Sequence, residues 1–170
     1  RNVVSLLNLH ILPDPLLRQK ARRVRKIDDS IQKLVDDMID TMRNANGVGL
    51  AANQVGVLHR VIVIEIPEES DVRVLINPEL IRRQGERVVE EGCLSIPGYR
   101  GELTRSLKVK ARALDRYGNP VRINAEGLLA QALEHEVDHI NGILYVDHLD
   151  SPEKFWKLDA QETGSQTEAR

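Results

Sequence analysis

The sequence predicts an α+β fold: mostly antiparallel strands around one central helix, with a long N-terminal helix packed outside and a short helix near the C-terminus. Three patterns predict it. Apolar residues recur at helical spacing in 30–45, continuous or alternating apolar runs follow between 60 and 123, and a second helical segment covers 126–141.

Each element has its own signal. Near the start, Pro13-Asp14-Pro15 precedes Leu16, Leu17 and Arg18, where a proline after aspartate opens a short helix. In 30–45, Ile31, Leu34, Val35, Met38, Ile39 and Met42 form one apolar face. Asp28, Asp29 and Ser30 are capping residues for it, and Gly47 is a stop. Residues 47–54, GVGLAANQ, read as a small-residue loop. Residues 60–66 (RVIVIEI) read as a buried strand and 72–76 as another, closed by a turn at Asn77-Pro78. Residues 87–91 form a short strand leading into Gly92-Cys93-Leu94-Ser95. In 107–114, Leu, Val and Ala alternate with Lys and Arg, which is a half-buried strand. Tyr117-Gly118-Asn119-Pro120 turns the chain, and 121–123 returns as a strand. The second helix ends at Gly142. From Ser151-Pro152 a short helix is expected to carry Phe155, Trp156 and Leu158, and after Asp159 the composition turns polar. Strand order does not follow from these patterns.

Length and composition bound the function. At 170 residues and 19.2 kDa the chain makes one domain, expected to span 1–160, with 161–170 as a disordered tail. Apolar residues are 41% and aromatics only 3%, so the core is built from Leu, Ile, Val and Ala. A net charge of −2 gives no electrostatic case for nucleic acid, with a local patch left open. No apolar run is long enough to span a membrane. The single cysteine, Cys93, excludes an internal disulfide framework and fits a reducing compartment or a thiol with a chemical role. The start lacks a signal-peptide pattern.

The strongest chemical signal is His135-Glu136-Val137-Asp138-His139. Two histidines four apart lie one turn apart on one helix face, so both imidazoles reach a single metal ion. Glu136 sits beside the first of them and can act as a general base without binding the metal. The plain alternative is a solvated face with incidental histidines, but this motif is rare by chance. A catalytic site normally takes a third protein ligand. One known pattern needs a histidine at the position that Tyr145 holds; another needs a glutamate, and Glu153 and Glu162 lie in polar sequence. Cys93 is the better choice, although a free cysteine is commonly a buried, inert thiol. In GVGLAANQ the ordinary reading is a tight connection. Gln54 at its end can place an amide N–H on a developing oxyanion.

GVGLAANQ, EGCLS and HEVDH, in this order, resemble the three signature motifs of peptide deformylases. The stretch around Pro13-Asp14-Pro15-Leu16-Leu17-Arg18 is also similar to theirs, as is Gly127-Leu128-Leu129-Ala130-Gln131-Ala132. The resemblance spans about 10–149. It implies removal of the formyl group from the N-terminal formyl-methionine of new polypeptides, with release of formate. It implies one divalent metal, usually iron(II), on Cys93, His135 and His139, with zinc, nickel or cobalt also accepted by such a site. A bound water would attack the formyl carbon, Glu136 would carry its proton to the leaving amine, and the Gln54 amide with the Leu94 backbone N–H would hold the oxyanion. Backbone at Gly49 would pair with the extended peptide like an edge strand. Leu128 and Ala132 share a helix stripe with the histidines, and with Val48 they would form a slot for the methionine side chain; simple core packing is the alternative.

Arg100 would meet substrate backbone or a carboxylate, or else be solvated. Glu91 and Arg105 are expected to pair and hold the Cys93 loop, and Asp138 to support the metal ligands. His10, His59 and His148 read as surface or capping residues. The implied partners are formylmethionyl peptides emerging from the ribosome, with contact to the ribosome itself, and neither DNA nor membrane. The implied location is a bacterial cytoplasm, or an organelle if an upstream targeting segment was removed. On the residues alone, a zinc peptidase and a structural metal protein stay open.

Overall fold

The computed structural model describes residues 6–159; the tail expected at 161–170 lies outside them. Asp14 Oδ1 accepts from Leu16 N at 2.9 Å and starts a 3₁₀ turn over Pro15–Arg18. Helix α1 is Asp29–Asn44, with Asp28 Oδ1 accepting from Ile31 N at 3.2 Å as its cap. Ile31, Val35, Met38, Ile39 and Met42 are buried along one face. Past α1, the loop expected at 47–54 contains a short strand, β1 (Gly49–Ala51), and a 3₁₀ turn, Ala52–Val55.

Strands β2 (Val61–Ile64), β3 (Arg73–Gln84), β4 (Arg87–Cys93), β5 (Ile96–Arg105), β6 (Lys108–Leu114) and β7 (Pro120–Glu126) follow. Helix α2 is Gly127–Ile140, and β8 is Phe155–Lys157. One antiparallel sheet has the order β1-β2-β3-β6-β7 and the other β4-β5-β8.

Three differences from the sequence reading have physical causes. The turn expected at Asn77-Pro78 is a bulge inside β3: Asn77 has φ +52°, the register slips between Ile76 and Glu79, and the strand runs on to Gln84. Strand β5 was not expected because Pro97, Gly98 and Gly101 interrupt its pattern. Gly101 is required there: a Cβ would meet the Tyr145 ring at 2.8 Å. The short C-terminal helix is corrected to a single 3₁₀ turn, Pro152–Lys154, followed by β8. Pairing with the edge of β5 wins over helix formation, and Phe155 stacks on Tyr99 at 4.9 Å.

Packing explains the strand patterns. The β1–β2 end of the larger sheet is covered on both faces. Leu50, Val61, Val63, Val74 and Ile76 pack with α1, while Ala51, Ile62, Ile64 and Leu75 pack with α2. Hence β2 is apolar at every position. Strands β6 and β7 turn Val109, Ala111, Ala113, Ile123 and Ala125 into the cluster around α2 and their charged residues outward. A third cluster, with Leu17, Cys93, Leu103, Leu144 and Tyr145, joins the smaller sheet to the rest.

Candidate metal centre

Cys93 ends β4, where the register with β5 slips between Glu91 and Cys93. His135 and His139 lie one turn apart on α2, 2% and 1% exposed. Cys93 Sγ is 3.3 Å from His139 Nε2, which is 3.2 Å from His135 Nε2. The three ligand atoms lie within 4.8 Å of one another. Around a tetrahedral cation with bonds of about 2.0–2.3 Å, neighbouring ligand atoms sit about 3.3–3.7 Å apart. One thiolate and two imidazoles at these separations fit a divalent transition-metal ion. Three protein ligands leave a position for a reacting molecule.

A buried charged network orients the histidines. His135 Nδ1 is 2.7 Å from Glu91 Oε1, and Arg105 grips both Glu91 oxygens at 2.6 and 2.8 Å. Burial pushes the Glu91 carboxyl up, but the Arg105 fork and the His135 hydrogen bond outweigh it and bring it down to about 2. Ionised Glu91 accepts from Nδ1, which leaves the Nε2 lone pair of His135 for a cation. Arg105 Nη1 donates to Asp138 Oδ2 at 2.9 Å, and His148 Nε2 lies 2.8 Å from the same oxygen. Burial raises the Asp138 carboxyl, and His148 and Arg105 more than reverse this. His148 is thus tied to the network through Asp138 while its side chain is 38% exposed.

Glu136 is fully buried against β1. A Cβ on Gly49 would lie 2.5 Å from Glu136 Oε2, so only a glycine gives the carboxylate this place. Gln54 is also fully buried. Its Oε1 accepts from Ala51 N at 3.0 Å, and its Nε2 donates to Ser95 Oγ at 3.1 Å and faces Cys93 Sγ at 3.7 Å. The amide donor therefore points toward the three ligands. Leu94 is half-buried, in the turn after Cys93.

Val48, Leu128 and Ala132 belong to one apolar cluster; Val48 and Leu128 also line a hollow with Arg43, Gly47, Glu65 and Pro67, while Ala132 is fully buried. Arg100 is 8% exposed, with Nε 3.6 Å from Glu90 Oε2, which removes the solvated alternative. His10 caps locally through Asp14 at 2.6 Å. Two residues near the centre escaped the sequence reading. Tyr145 is buried with its ring 6.3 Å from that of His135, and burial pushes its phenol up. Ser95 accepts the Gln54 amide; its only signal was its place two residues after Cys93.

Known proteins share this fold. The polypeptide deformylase family model matches residues 6–155. A peptide deformylase of Dehalococcoides mccartyi is 55% identical over 147 residues, covering 86% of this chain and 88% of that protein. Among solved structures, a peptide deformylase from Legionella pneumophila superposes with a TM-score of 0.85 at 48% identity, over 88% of this chain and 89% of that one. Another, from Synechococcus elongatus in complex with actinonin, has a TM-score of 0.84 at 43% identity, over 87% and 81%. The family model covers most of the chain and the relatives match nearly end to end, so the chain belongs to the peptide deformylase family.

Proposed function

We propose that this chain is a metal-dependent hydrolase that takes the formyl group from the N-terminal formyl-methionine of new polypeptides and releases formate. The observation that carries the reading is the joining of Cys93, His135 and His139 in one buried cluster beside Glu136, next to the edge strand β1.

Cys93, His135 and His139 would hold the cation; iron(II) is the ion the family resemblance favours, with zinc, nickel and cobalt as alternatives. When bound, such a cation supplies Lewis acidity and lowers the pKa of a coordinated water. Glu136 takes the proton of the attacking water. It delivers that proton to the methionyl nitrogen as the C–N bond breaks, so water and formyl amide become formate and a free amino terminus. Gln54 Nε2 and the Leu94 backbone N–H stabilise the oxyanion, each donor contributing about 3 kcal/mol. Gln54 needs no reorganisation for this, because Ala51 and Ser95 already fix its amide.

Within its sheet β1 pairs with β2 alone, so its other edge is where an extended peptide would add, backbone to backbone at Gly49. Val48 and Leu128 flank the methionine side chain from the hollow beside this edge, with Ala132 as the floor behind them. Arg100 acts as a donor to the peptide further along. The substrates are formylmethionyl chains leaving the ribosome, in a bacterial cytoplasm or an organelle of bacterial descent.

The test is formate release from a short formyl-Met peptide by protein prepared anaerobically with iron(II), beside the acetyl-Met peptide. Formate from the first substrate alone is expected. No formate from protein shown to hold the metal overturns the reading.

A further inference from the structure

Away from the metal centre, the sequence carries the run RQKARRVRK at 18–26. It holds six cations (Arg18, Lys20, Arg22, Arg23, Arg25 and Lys26) and no carboxylate. A quarter of the 24 basic residues thus falls in one short run of a chain whose net charge is −2.

The fold turns this run into a fixed cationic strap. Its apolar members, Ala21 and Val24, are 5% and 6% exposed and face inward. Its backbone is held at several points. Ala21 N donates to Ile140 O at 2.8 Å, Arg22 N to Leu58 O at 2.9 Å, and Arg60 N to Arg22 O at 3.0 Å. The Asn77 side chain accepts from Val24 N at 2.8 Å and donates to Val24 O at 2.9 Å. All six cationic side chains are exposed. Arg18 is paired with Asp147 at 2.6 Å. Among the described residues, the other five have no carboxylate within ion-pair distance.

The strap continues into the uncovered face of the larger sheet. Arg23 lines a hollow of 300 Å³ with Arg112, Arg122, Asn77 and Glu79. In the antiparallel register Arg112 lies opposite Arg122, and Arg82 opposite Lys110, all exposed and on the side away from α2. Glu79 is taken by Arg112 at 3.1 Å, and Glu126 lies opposite Lys108, so this face keeps a cationic excess.

We infer that the strap 18–26 and the adjoining outer face of β3, β6 and β7 bind the phosphate backbone of RNA. Guanidinium forks match phosphate oxygens, and a strap whose backbone is already fixed by hydrogen bonds pays no backbone ordering on binding. No aromatic or apolar side chain projects from the strap to read a base, so the binding is independent of base sequence and strongly salt-dependent. The same lack disfavours a membrane surface, where apolar side chains must enter the lipid. Choosing RNA among polyanions rests on the deformylase reading, since that substrate leaves a ribosome. Binding and formate release are separate assays, so failure of one is distinguishable from failure of the other.

The experiment uses the metal-loaded full chain and a labelled RNA duplex of about 20 base pairs, followed by fluorescence anisotropy between about 50 and 200 mM salt. Binding at the lower salt should weaken by at least about 10-fold at the higher. Arg22→Gln/Arg23→Gln/Arg25→Gln should reduce the salt slope by about 2–3, with formate release from a free formyl-Met peptide unchanged. These side chains make none of the strap's backbone bonds, so the variant should fold. Lys20→Gln/Lys26→Gln provides a second, independent loss of affinity. Lys33→Gln/Lys154→Gln/Lys157→Gln removes the same charge elsewhere and should leave RNA binding within about twofold. Absence of RNA binding by the parent at low salt overturns the proposal. So does equal loss in the Lys33 control, unchanged binding by the arginine variant, or tighter binding to phosphatidylglycerol vesicles than to RNA.

Discussion

The contact between Gly49 and Glu136 yields a sharp test of the mechanism. A Cβ at position 49 would stand 2.5 Å from Glu136 Oε2 and 3.0 Å from its Cδ and Cγ. Ordinary contact begins at 3.4 Å, so Gly49→Ala must displace the carboxylate by about 0.9 Å. Gly49 is not among the positive-φ residues, so alanine brings no backbone strain. A misplacement of about 1 Å at a reacting group costs about 100-fold in rate, or about 2.7 kcal/mol of transition-state stabilisation. The alanine keeps the backbone N–H and C=O that would pair with a peptide, so the loss should fall on kcat, with KM nearly unchanged. Overpacking should also cost about 1–3 kcal/mol of stability. The assay is steady-state formate release, with metal content and thermal midpoint measured on the same preparation. A kcat within about threefold of the parent would refute the assignment of Glu136 as the proton carrier in this position. A loss confined to KM would move the role of Gly49 to peptide pairing.

Other outcomes follow from the same geometry. Arg105→Met leaves the buried Glu91 carboxylate without its fork and should cost about 3–5 kcal/mol in urea denaturation; a loss under about 1 kcal/mol would show the ion pair to be unimportant. Metal-stripped protein given nickel(II) at about 100 times its Kd should gain about 2.7 kcal/mol, seen as a rise in Tm, and an equal rise in Cys93→Ala would exclude Cys93 as a ligand. Hydrogen bonding from Arg43 holds the Glu65 carboxyl below its ordinary value against the opposing effect of burial. That stabilisation is complete above the ordinary carboxylate pKa and lost as pH falls through the lower folded value. The stability advantage of the parent over Glu65→Gln, under about 1 kcal/mol for so exposed a pair, should therefore fade in acid; an advantage that grew in acid would reverse the sign of the argument.

The legible elements were those fixed by local chemistry. Helix α1, expected at 30–45, runs Asp29–Asn44 because its Asp28 cap and its apolar period are both written in the sequence. The continuous apolar run of β2 and the alternation of β6 were equally plain, since burial on two faces or one sets each pattern. Elements decided by distant partners were not legible. Strand β5 exists despite Pro97 and Gly98 because β4 and β8 flank it, and β8 replaces a helix because β5 offers an edge. At the centre, the motifs named Cys93, His135 and His139, but a motif carries no distances. The route Glu91–Arg105–Asp138–His148 joins residues from two strands, α2 and a surface turn. Only the first pairing in that route was expected from the chain.

Uneven covering of one sheet organises the molecule. At the β1–β2 end, α1 and α2 press on both faces, so the backbone beside Glu136 and Gln54 is held between two helices. Rigid placement there suits the roles proposed for Gln54 as oxyanion donor and Glu136 as proton carrier. At the β6–β7 end only α2 covers the sheet, and the opposite face carries Lys110, Arg112 and Arg122 to solvent. Replacing those cations with apolar residues would expose a broad sticky surface, whereas charge keeps it soluble and gives it a polyanion to bind. The segment 18–26 bridges the two regions, since its Ala21 meets the end of α2 and its Arg23 reaches the β6–β7 hollow. The proposed peptide edge, β1, and the cationic strands β6 and β7 lie at opposite ends of the same sheet.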